Sequence, residues 1–523
     1  MAGIRKNIDS LIEGFYQMGI RQWIVSPGSR NAPIVASFIK RGGFNLISHP
    51  DERSAAFLGL GANIAEKPTG IICTSGTALL NYYPAICEAF YAQVPLLVLS
   101  ADRPKELIDQ WDGQTIRQKD VFAQHIKASH ALEGDIHQDN TLKEIKTLLN
   151  QIYTDLNKND KGPIHVNIPL ADPIYEDINS KWQGAPISLD HVLDIKPLAT
   201  VHAIPVNANI VLFVGELKPS ESKTLDLNKL SAHFPILAEA TSNSIIDNFN
   251  GWELNTQGLN KLPVPDILIT MGKNFVNKRF KQFIQINSNI THYHVHTNEY
   301  VGNPFKTDIQ VFKFNFNDEI LEYLTKHENQ KTFNESWISE LQPNALKMHK
   351  AQNLSVELRT IQSIYANHFD ALHIGNSTPI RLAGLLPKSV LKVFCNRGTS
   401  GIDGCVSTAV GYALSNPNEK VACVVGDLSF LYDSNAFWCN PKPLNLQVIV
   451  LNNGGGNIFN LIDGPKEMPE MAQFIQTPHL LSCKYLAKQH GLSYSCNAEH
   501  IGSRKQLIEI FSSGNEALWE FLK

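Results

Sequence analysis

Short apolar runs that each lead into a polar loop and then a helix-like segment recur along this chain. In the first third the runs are WIVSPGSR, FNLISHPDER, TGIICTSG and VPLLVLSADRP, and GPIHVNIPL near 162–170 is similar. In the last third they are ALHIGNSTPIR, SVLKVFCNRG, KVACVVGDLSF and LQVIVLNNGGG. Strands of this kind, separated by helices, form parallel sheets that are covered on both faces. The alternation therefore predicts an α/β chain of doubly wound parallel sheets whose first and last thirds share one architecture.

The length of 523 residues corresponds to about 3.5 domains, at roughly 150 residues each. A polar stretch with several prolines at 182–207 is typical of a linker. Four further strand-like runs follow it: NIVLFVGEL, FPILAEATS, DILITMGKN and THYHVHTN. We predict three domains, at residues 1–181, at 182–354 with the linker at its start, and at 355–523.

Charge and composition exclude several classes of protein. Lys and Arg number 46 and Asp and Glu number 50, so the chain lacks the basic excess of a nucleic-acid-binding protein. No apolar run approaches the roughly 18 residues of a membrane span, and Asp9 and Glu13 interrupt the first apolar stretch, so we expect neither a span nor a signal peptide. None of the 8 cysteines forms a CxxC pair, which favours a reduced, cytoplasmic protein.

Motifs for nucleotide ligands are weak. Gly59-Leu60-Gly61 lacks a third glycine and lies inside a predicted helix, so it is no dinucleotide fingerprint. The run VGELKPSES in the middle third follows a strand in the manner of a nucleotide loop, but we expect a vestigial fold there.

Two strand ends in the last third carry the ligands that a hard cation prefers. VACVVGD ends at Asp427, and LQVIVLNN ends at Asn453, about 26 residues later. A βαβ unit brings such ends to one edge of the sheet, and the glycines at 454–456 let a carbonyl face inward. Carboxylate, amide and carbonyl oxygens suit magnesium, and a helix expected to begin at Ser429 would meet a phosphate with free N–H groups. Each motif alone is more often a helix cap or a turn, but together they predict a metal–diphosphate site.

The spacing resembles the diphosphate-binding motif of thiamine-diphosphate enzymes, in which Gly-Asp-Gly precedes Asn-Asn by about two dozen residues. Leu428 stands where the general pattern has glycine. The chain resembles the 2-succinyl-5-enolpyruvyl-6-hydroxy-3-cyclohexene-1-carboxylate synthase family of menaquinone biosynthesis in GDLSFLYDSNAF, SPGSRNAP, DERSAAFLGLG, TSGTALLNYYPA, SADRP and NRGTSGIDG. The resemblance covers the first and last thirds. It implies the thiamine-diphosphate enzyme fold, thiamine diphosphate with Mg²⁺ or Mn²⁺, and a homodimer or dimer of dimers with active sites between subunits.

The resemblance implies a carboligase that decarboxylates 2-oxoglutarate and adds the succinyl-semialdehyde unit to isochorismate. Another thiamine-diphosphate-dependent 2-oxoacid decarboxylase or carboligase is the alternative, and a degenerate relative that only binds ligand is a third interpretation. Several arginines favour the dicarboxylate substrates over pyruvate. The presence of Glu52 and Asp427 argues against a degenerate relative.

Cofactor and metal residues follow from the same resemblance. Glu52 in HPDER matches the catalytic glutamate that lies against the pyrimidine ring, whereas spacing alone would equally allow Asp51, since both suit a helix N-terminus. The metal ligands implied are Asp427, Asn453 and Gly455. The cofactor-binding residues implied are Ser75, Gly76, Thr77, Asn376, Ser377, Ile402, Leu428, Ser429 and Ile458. Ile402 taken alone is typical of a core residue.

Arginines in strand-end loops predict a pocket for polycarboxylates, because a guanidinium pairs with a carboxylate through two hydrogen bonds. Each arginine alone is more often a surface residue or part of an ion pair. The substrate-binding residues implied are Ser29, Arg30, Arg103, Gln114, Arg381, Arg397, Phe459 and Ile462. Core packing of a helix would explain the apolar residues Ile458, Phe459 and Ile462 nearly as well. Gly113 stands where the family commonly has Asn, so one hydrogen bond to substrate is in doubt.

Overall fold

Three β-sheets organise the chain, which confirms the predicted α/β class. The computed structural model describes residues 3–133, 136, 141–158, 160–175, 178–189, 203–205, 207–287, 289–296, 301–313, 318–342, 344–461 and 464–522. Most of the predicted linker at 182–207 lies outside these residues. Within them, no helix has the length and apolar character needed to cross a membrane.

Each apolar run singled out in the sequence contains a strand, and four further strands were not predicted: Ala128–Ala131, Ile309–Lys313, Tyr494–Ser495 and Leu507–Phe511. Sheet 1 contains β1 (Gln22–Val25), β2 (Asn45–Ser48), β3 (Thr69–Cys73), β4 (Leu97–Asp102), β5 (Ala128–Ala131) and β6 (Ile164–Pro169). Sheet 2 contains β7 (Ile210–Val214), β8 (Ile236–Ala238), β9 (Ile267–Met271), β10 (Thr291–His296) and β11 (Ile309–Lys313). Sheet 3 contains β12 (Ala371–Ile374), β13 (Lys392–Phe394), β14 (Val421–Gly426), β15 (Leu446–Asn452), β16 (Tyr494–Ser495) and β17 (Leu507–Phe511).

Sheets 1 and 3 have the same topology. Their strand orders are β2-β1-β3-β4-β6-β5 and β13-β12-β14-β15-β17-β16, while sheet 2 has the order β11-β10-β9-β7-β8. The pairing is parallel, for example β1 with β2 and β3 in sheet 1 and β12 with β13 and β14 in sheet 3. Each strand end in sheet 1 therefore has a counterpart at the same position in sheet 3, as the similar first and last thirds of the sequence predicted.

Helices connect the strands. They are α1 (Gly3–Gln17), α2 (Ala32–Arg41), α3 (Glu52–Ile64), α4 (Thr77–Asn81), α5 (Tyr83–Ala92), α6 (Thr141–Asn157), α7 (Pro219–Thr224), α8 (Lys278–Ile286), α9 (Asp318–Leu324), α10 (Lys331–Leu341), α11 (Ala345–Leu354), α12 (Val356–Ala366), α13 (Thr378–Leu385), α14 (Cys405–Ser415), α15 (Asp427–Tyr432), α16 (Lys484–Gln489) and α17 (Glu516–Leu522). The prediction that a helix begins at Ser429 was wrong, because α15 follows β14 directly and begins at Asp427.

The chain divides into two compact units. Unit 1 comprises Met1–Ile195, Asn396–Asn418 and Tyr432–Leu446, and unit 2 comprises Lys196–Cys395, Glu419–Leu431 and Gln447–Lys523. Sheet 1 belongs to unit 1, and sheets 2 and 3 belong to unit 2 except for Leu446. The domain boundaries after residues 181 and 354 stay a prediction.

Glycines allow α3 and α14 to pack closely within unit 1. A Cβ atom on Gly61 would lie 1.9 Å from the carbonyl oxygen of Thr408, and one on Gly411 would lie 2.0 Å from that of Leu58. Such distances are far inside van der Waals contact, so each helix needs glycine where the other approaches. Gly61 thus allows α14 to pack closely against the second half of α3.

Candidate active site

The carboxyl ends of four neighbouring strands in sheet 1 carry predicted site residues. Because β2, β1, β3 and β4 are adjacent and parallel, the loops after them lie along one edge of the sheet. These loops contain Ser29 and Arg30 after β1, Glu52 after β2, Ser75, Gly76 and Thr77 after β3, and Arg103 after β4.

Asp51 and Glu52 have different structural roles. The Asp51 carboxylate is the N-cap of α3 and accepts hydrogen bonds from the backbone N–H groups of Arg53 at 3.0 Å and Ser54 at 3.3 Å. Glu52 is the first residue of α3, and burial raises the pKa of its carboxyl group. Burial is the main cause that raises the pKa values of the Cys73 thiol and the Tyr82 hydroxyl, and the negative charge of Glu52 raises both further. The Glu52 side chain is therefore half-buried, whereas Asp51 serves as the helix cap.

The loop after β3 is held by a residue that the sequence did not indicate. Gln118 is fully buried; its side chain accepts the N–H of Gly76 at 2.8 Å and donates to the Ala101 carbonyl and the Asn167 side chain. Gly76 has a φ of 84°, a conformation that favours glycine. Within the described ranges the buried hydroxyl of Ser75 has no hydrogen-bond partner, so the loop offers a polar group to a ligand.

Two of the predicted substrate arginines already contact protein groups. Arg30 is buried and donates to the Leu170 carbonyl at 2.9 Å and to the Asp172 carboxylate at 3.3 and 3.4 Å. Arg103 donates to the Gly113 carbonyl at 2.9 Å, and its Nε atom lies 3.3 Å from the Asp112 carboxylate. Ser29 and Gln114 are exposed. Arg30 and Arg103 are thus oriented by internal bonds, whereas the two uncharged residues face solvent.

Arg397 and Ile402 lie on a segment that one buried carboxylate holds. Glu88, on α5, accepts hydrogen bonds from the N–H of Gly398 at 2.7 Å and from the N–H and hydroxyl of Thr399 at 2.6 and 2.7 Å. Ile402 is 42% exposed, which is inconsistent with the alternative that it is a core residue. The segment therefore presents Arg397 and Ile402 from a fixed backbone.

The strand ends of sheet 3 form a cradle around Asp427. Its Oδ2 atom accepts the backbone N–H groups of Asn453 at 3.1 Å, Gly454 at 2.8 Å and Gly455 at 3.0 Å. Its Oδ1 atom accepts the N–H of Leu428 at 2.7 Å. Asp427 and the chain around Asn453 therefore meet at the edge where the sequence predicted a metal site.

The donor set in this cradle fits a hard cation. Among the described residues, the buried side-chain oxygen of Asn453 has no hydrogen-bond partner. An amide oxygen left without a partner is costly to bury, and a bound cation would satisfy it. Gly455 has a φ of 141°, which glycine alone adopts readily, so its position in the loop requires glycine.

A buried carboxylate behind the cradle fixes its loops. Glu509 on β17 accepts hydrogen bonds from the side chains of Asn452, Ser482 and Tyr494 and from the N–H of Cys483. Burial alone would raise the pKa of Glu509, but these donors outweigh it and hold the pKa below its usual value. The segment around 482 is thereby fastened to the loop that carries Asn453.

The other predicted residues of unit 2 lie near these strand ends. Asn376 and Ser377 follow β12, the neighbour of β14, and Arg381 on α13 donates to the Ser377 carbonyl at 2.6 Å. Ser429 is buried on α15, and Leu428 precedes it. Ile458 and Phe459 are half-buried in the short 3-10 helix Asn457–Leu461, and Ile462 lies outside the described residues.

In the central sheet, two loops pair with each other at the place where such sheets bind nucleotides. That place is the strand end between β7 and β9, where the strand order reverses. There the loops pair with each other, since the N–H of Glu216 donates to the Lys273 carbonyl at 2.6 Å and the reverse bond is 3.0 Å. Two backbone hydrogen bonds thus join the loops at this strand end.

The fold and the cradle point to one class of protein. Residues 6–126 match the family described as thiamine pyrophosphate enzyme, N-terminal TPP binding domain. This family match, the shared topology of sheets 1 and 3 and the Asp427 cradle together define a thiamine-diphosphate-dependent enzyme.

Full-length relatives narrow the class to one family. The chain is 36% identical to 2-succinyl-5-enolpyruvyl-6-hydroxy-3-cyclohexene-1-carboxylate synthase of Cytophaga hutchinsonii over 521 residues, covering 95% of this chain and 92% of the relative. It is 36% identical to the synthase of Flavobacterium johnsoniae, with 97% and 94% covered, and 34% identical to that of Bacteroides fragilis, with 97% and 92% covered. The chain belongs to the 2-succinyl-5-enolpyruvyl-6-hydroxy-3-cyclohexene-1-carboxylate synthase family, as its motifs predicted.

Proposed function

We propose that this chain decarboxylates 2-oxoglutarate on thiamine diphosphate and adds the succinyl-semialdehyde unit to isochorismate, giving 2-succinyl-5-enolpyruvyl-6-hydroxy-3-cyclohexene-1-carboxylate. Alignment with synthases over nearly the whole chain supports this reaction. The observation that carries the proposal is the buried amide oxygen of Asn453, which among the described residues has no partner and lies in the loop whose N–H groups bind Asp427. A cation that holds a diphosphate would complete this arrangement.

Mg²⁺ is the metal that the donor set favours, with Mn²⁺ as a substitute. The Asp427 carboxylate, the Asn453 amide oxygen and the Gly455 carbonyl are all hard oxygen donors. Three protein ligands leave coordination positions for diphosphate oxygens and water, which is the usual arrangement for protein-bound magnesium.

The cofactor residues divide into a pyrimidine end and a diphosphate end. Bound thiamine diphosphate supplies a carbon nucleophile and an electron sink for decarboxylation. We assign the pyrimidine end to Ser75, Gly76 and Thr77, whose loop is held by Gln118 and includes the buried Ser75 hydroxyl. We assign the diphosphate end to Asn376, Ser377, Leu428 and Ser429, and apolar contacts to Ile402 and Ile458.

Glu52 is the residue that would hold and release a proton at the pyrimidine ring nitrogen. A carboxyl group whose pKa is raised by burial keeps its proton to higher pH, so it exchanges a proton more readily near neutrality. The Asp51 carboxylate is already engaged as the α3 cap, which leaves Glu52 for this role.

Substrate carboxylates are the groups that the arginines would bind. 2-Oxoglutarate and isochorismate are both dicarboxylates, and a guanidinium fork matches a carboxylate in geometry and charge. The residues that we assign to substrate are Ser29, Arg30, Arg103, Gln114, Arg381, Arg397, Phe459 and Ile462. In Arg30 the fork is occupied by Asp172, so substrate would exchange with an exposed carboxylate.

We further propose a cytoplasmic homodimer or dimer of dimers, with the active site between subunits. Large apolar side chains of unit 2 support an association surface: Phe474 is 66% exposed, Tyr485 76% and Leu480 fully exposed. Apolar side chains so exposed, close together in the chain, are typical of a surface that another subunit covers.

The reaction is tested by incubating the protein with 2-oxoglutarate, isochorismate, Mg²⁺ and thiamine diphosphate. Consumption of isochorismate together with release of carbon dioxide is expected. Turnover of pyruvate with no consumption of isochorismate would instead identify another 2-oxoacid decarboxylase or carboligase.

A further inference from the structure

One histidine contacts the Asp427 cradle although no sequence motif indicates it. The side chain of His479 is 11% exposed, and its Nε2 atom lies 3.5 Å from Oδ2 of Asp427. The backbone N–H of His479 donates to the Gly454 carbonyl at 3.0 Å. His479 is thus fixed against the same loop that supplies three N–H groups to Asp427.

Hydrogen bonding defines the tautomer of this imidazole. Its Nδ1 atom accepts the backbone N–H of Leu481 at 3.1 Å, so the neutral ring carries its proton on Nε2. Nε2 is buried, and in the described part of the chain it makes no hydrogen bond. Because 3.5 Å is longer than a normal hydrogen bond, the Nε2–H group lies next to the Asp427 carboxylate without donating a hydrogen bond to it.

The segment that carries His479 is bonded to neighbouring loops before and after this residue, and on the preceding side the N–H of Gly456 donates to the Gln476 carbonyl at 2.7 Å. Asn452 donates to the Leu481 carbonyl at 3.0 Å and to Glu509 at 2.7 Å, and Glu509 in turn accepts the N–H of Cys483. The backbone near His479 is therefore tied by hydrogen bonds to the strand end that carries Asn452.

We propose that His479 is a positioning residue of the metal site, which orients the Asp427 carboxylate through its Nε2–H group. Oδ2 already accepts three backbone N–H groups, and the Nε2–H group, 3.5 Å from the same oxygen, adds an electrostatic attraction that favours this orientation of the carboxylate. Oδ1 accepts only the N–H of Leu428 among the described hydrogen bonds, so it retains a lone pair for a cation. Donors behind a metal-binding carboxylate typically strengthen metal binding by fixing its orientation. This inference rests on the proposed function, because it takes Asp427 to be a metal ligand.

A purely structural role is the competing explanation. His479 would then only cap the Leu481 N–H through Nδ1 and hold its segment in place. The two roles use different ring nitrogens, and two substitutions separate them. An asparagine keeps an acceptor close to Nδ1 but has no donor that reaches Asp427, whereas a glutamine places an amide N–H near Nε2 and loses the acceptor at Nδ1.

The test measures binding without turnover. Quenching of tryptophan fluorescence by thiamine diphosphate, recorded over a Mg²⁺ titration, gives the Mg²⁺ concentration for half-maximal cofactor binding. We expect His479→Asn to raise that concentration about 10-fold and His479→Gln to restore most of the loss, at an unchanged melting temperature of the metal-free protein. If His479→Asn instead needs the same Mg²⁺ concentration as the parent and His479→Gln needs a higher one, the proposal is overturned, and His479 serves only to cap the Leu481 N–H. No change in either variant, or an equal loss in both with a lowered melting temperature, would also overturn it.

Asp427→Asn, measured in parallel, separates this inference from the proposed function. If Asp427→Asn leaves the Mg²⁺ titration unchanged, the assignment of the metal site itself fails. If Asp427→Asn abolishes the Mg²⁺ response and His479→Asn does not alter it, only the role of His479 fails.

Discussion

Glu88 and Thr399 are 311 positions apart in the chain, yet the Glu88 carboxylate accepts both the backbone N–H and the hydroxyl of Thr399, at 2.6 and 2.7 Å. The N–H of Gly398 is a third donor to the same carboxylate. Glu88 is on α5, which follows the loop after β3 and α4, so one buried side chain bonds the segment of Arg397 and Ile402 to the helices after that loop.

We expect Glu88→Gln to lower kcat/KM at least 10-fold, with a modest loss of stability. The carboxamide keeps the shape, but its NH₂ group would face a backbone N–H, which leaves a buried donor unsatisfied at a cost of about 1–3 kcal/mol. The displaced segment would misplace Arg397, so KM for the substrates should rise. Steady-state kinetics with each substrate and thermal melting measure the two effects.

The matched control is Asp9→Asn. The Asp9 carboxylate is also fully buried and accepts a hydroxyl, from Ser37, and a backbone N–H, from Gln183, but on α1, away from the strand-end loops. It should lose stability and keep kcat/KM. An unchanged kcat/KM in Glu88→Gln would show that Glu88 matters only for folding.

Glu52→Gln should bind thiamine diphosphate and lose roughly 10²- to 10⁴-fold in kcat, because the amide cannot exchange a proton with the pyrimidine ring. Cofactor binding by fluorescence quenching and turnover by isochorismate consumption separate binding from catalysis. Asp51→Ala, by contrast, removes the side-chain cap of α3 and should cost about 1 kcal/mol of stability with a smaller effect on kcat. Full activity in Glu52→Gln would refute the role of Glu52.

The sequence predicted those parts of the fold that leave a local pattern. Strands of a parallel sheet are buried on both faces, so β14 and β15 read as continuous apolar runs, and Asp427 and Asn453 stand at their ends. The roles of Asp51 and Glu52 stayed ambiguous because a cap and a catalytic carboxylate both suit a helix N-terminus. Only the hydrogen bonds from Arg53 and Ser54 to Asp51 distinguish them.

Residues that act across the fold left no such pattern. Gln118 binds Gly76 across 42 positions and Glu88 binds Gly398 across 310, so each contact exists only after the chain has folded. His479 was missed for the same reason, since it reaches Asp427 from a separate strand connection. A polar residue within a loop or helix looks ordinary in the sequence until its partner is known.

Buried histidines should contribute a loss of stability as the pH is lowered from about 6.5 toward 4. Each of the three sheets contains a buried histidine whose pKa is lowered by burial, to about 4 for His165 and His292 and to about 3 for His373. An unfolded histidine has a pKa of about 6.5, so between the two values the unfolded chain binds protons that the folded chain does not. The stabilisation is thus fully present above pH 6.5 and is lost as the pH falls toward the folded-state pKa values.

Each such histidine should contribute about 1.4 kcal/mol per pH unit to the slope in this window. Melting temperatures of the cofactor-free protein between pH 7.5 and 5 measure the slope. His292→Asn should reduce the proton uptake on unfolding by about one, while His368→Asn, which removes an exposed histidine, serves as the control. An identical slope in His292→Asn and the parent would contradict the prediction.

Gly61→Ala should destabilise the protein and impair catalysis together, although alanine is the better helix former by about 1 kcal/mol. The added methyl group would lie 1.9 Å from the Thr408 carbonyl oxygen of α14, and because that atom is backbone, the helices must separate. Overpacking of this kind typically costs about 1–3 kcal/mol. Glu52 is the first residue of α3, so a shift of this helix also moves its carboxyl group, which we propose exchanges a proton with the cofactor, and should lower kcat. Gly302→Ala is the control, because a Cβ atom there meets nothing within 4 Å. Thermal melting and steady-state kinetics should show a loss in Gly61→Ala alone, and parent-like behaviour of both variants would mean that α3 and α14 tolerate separation.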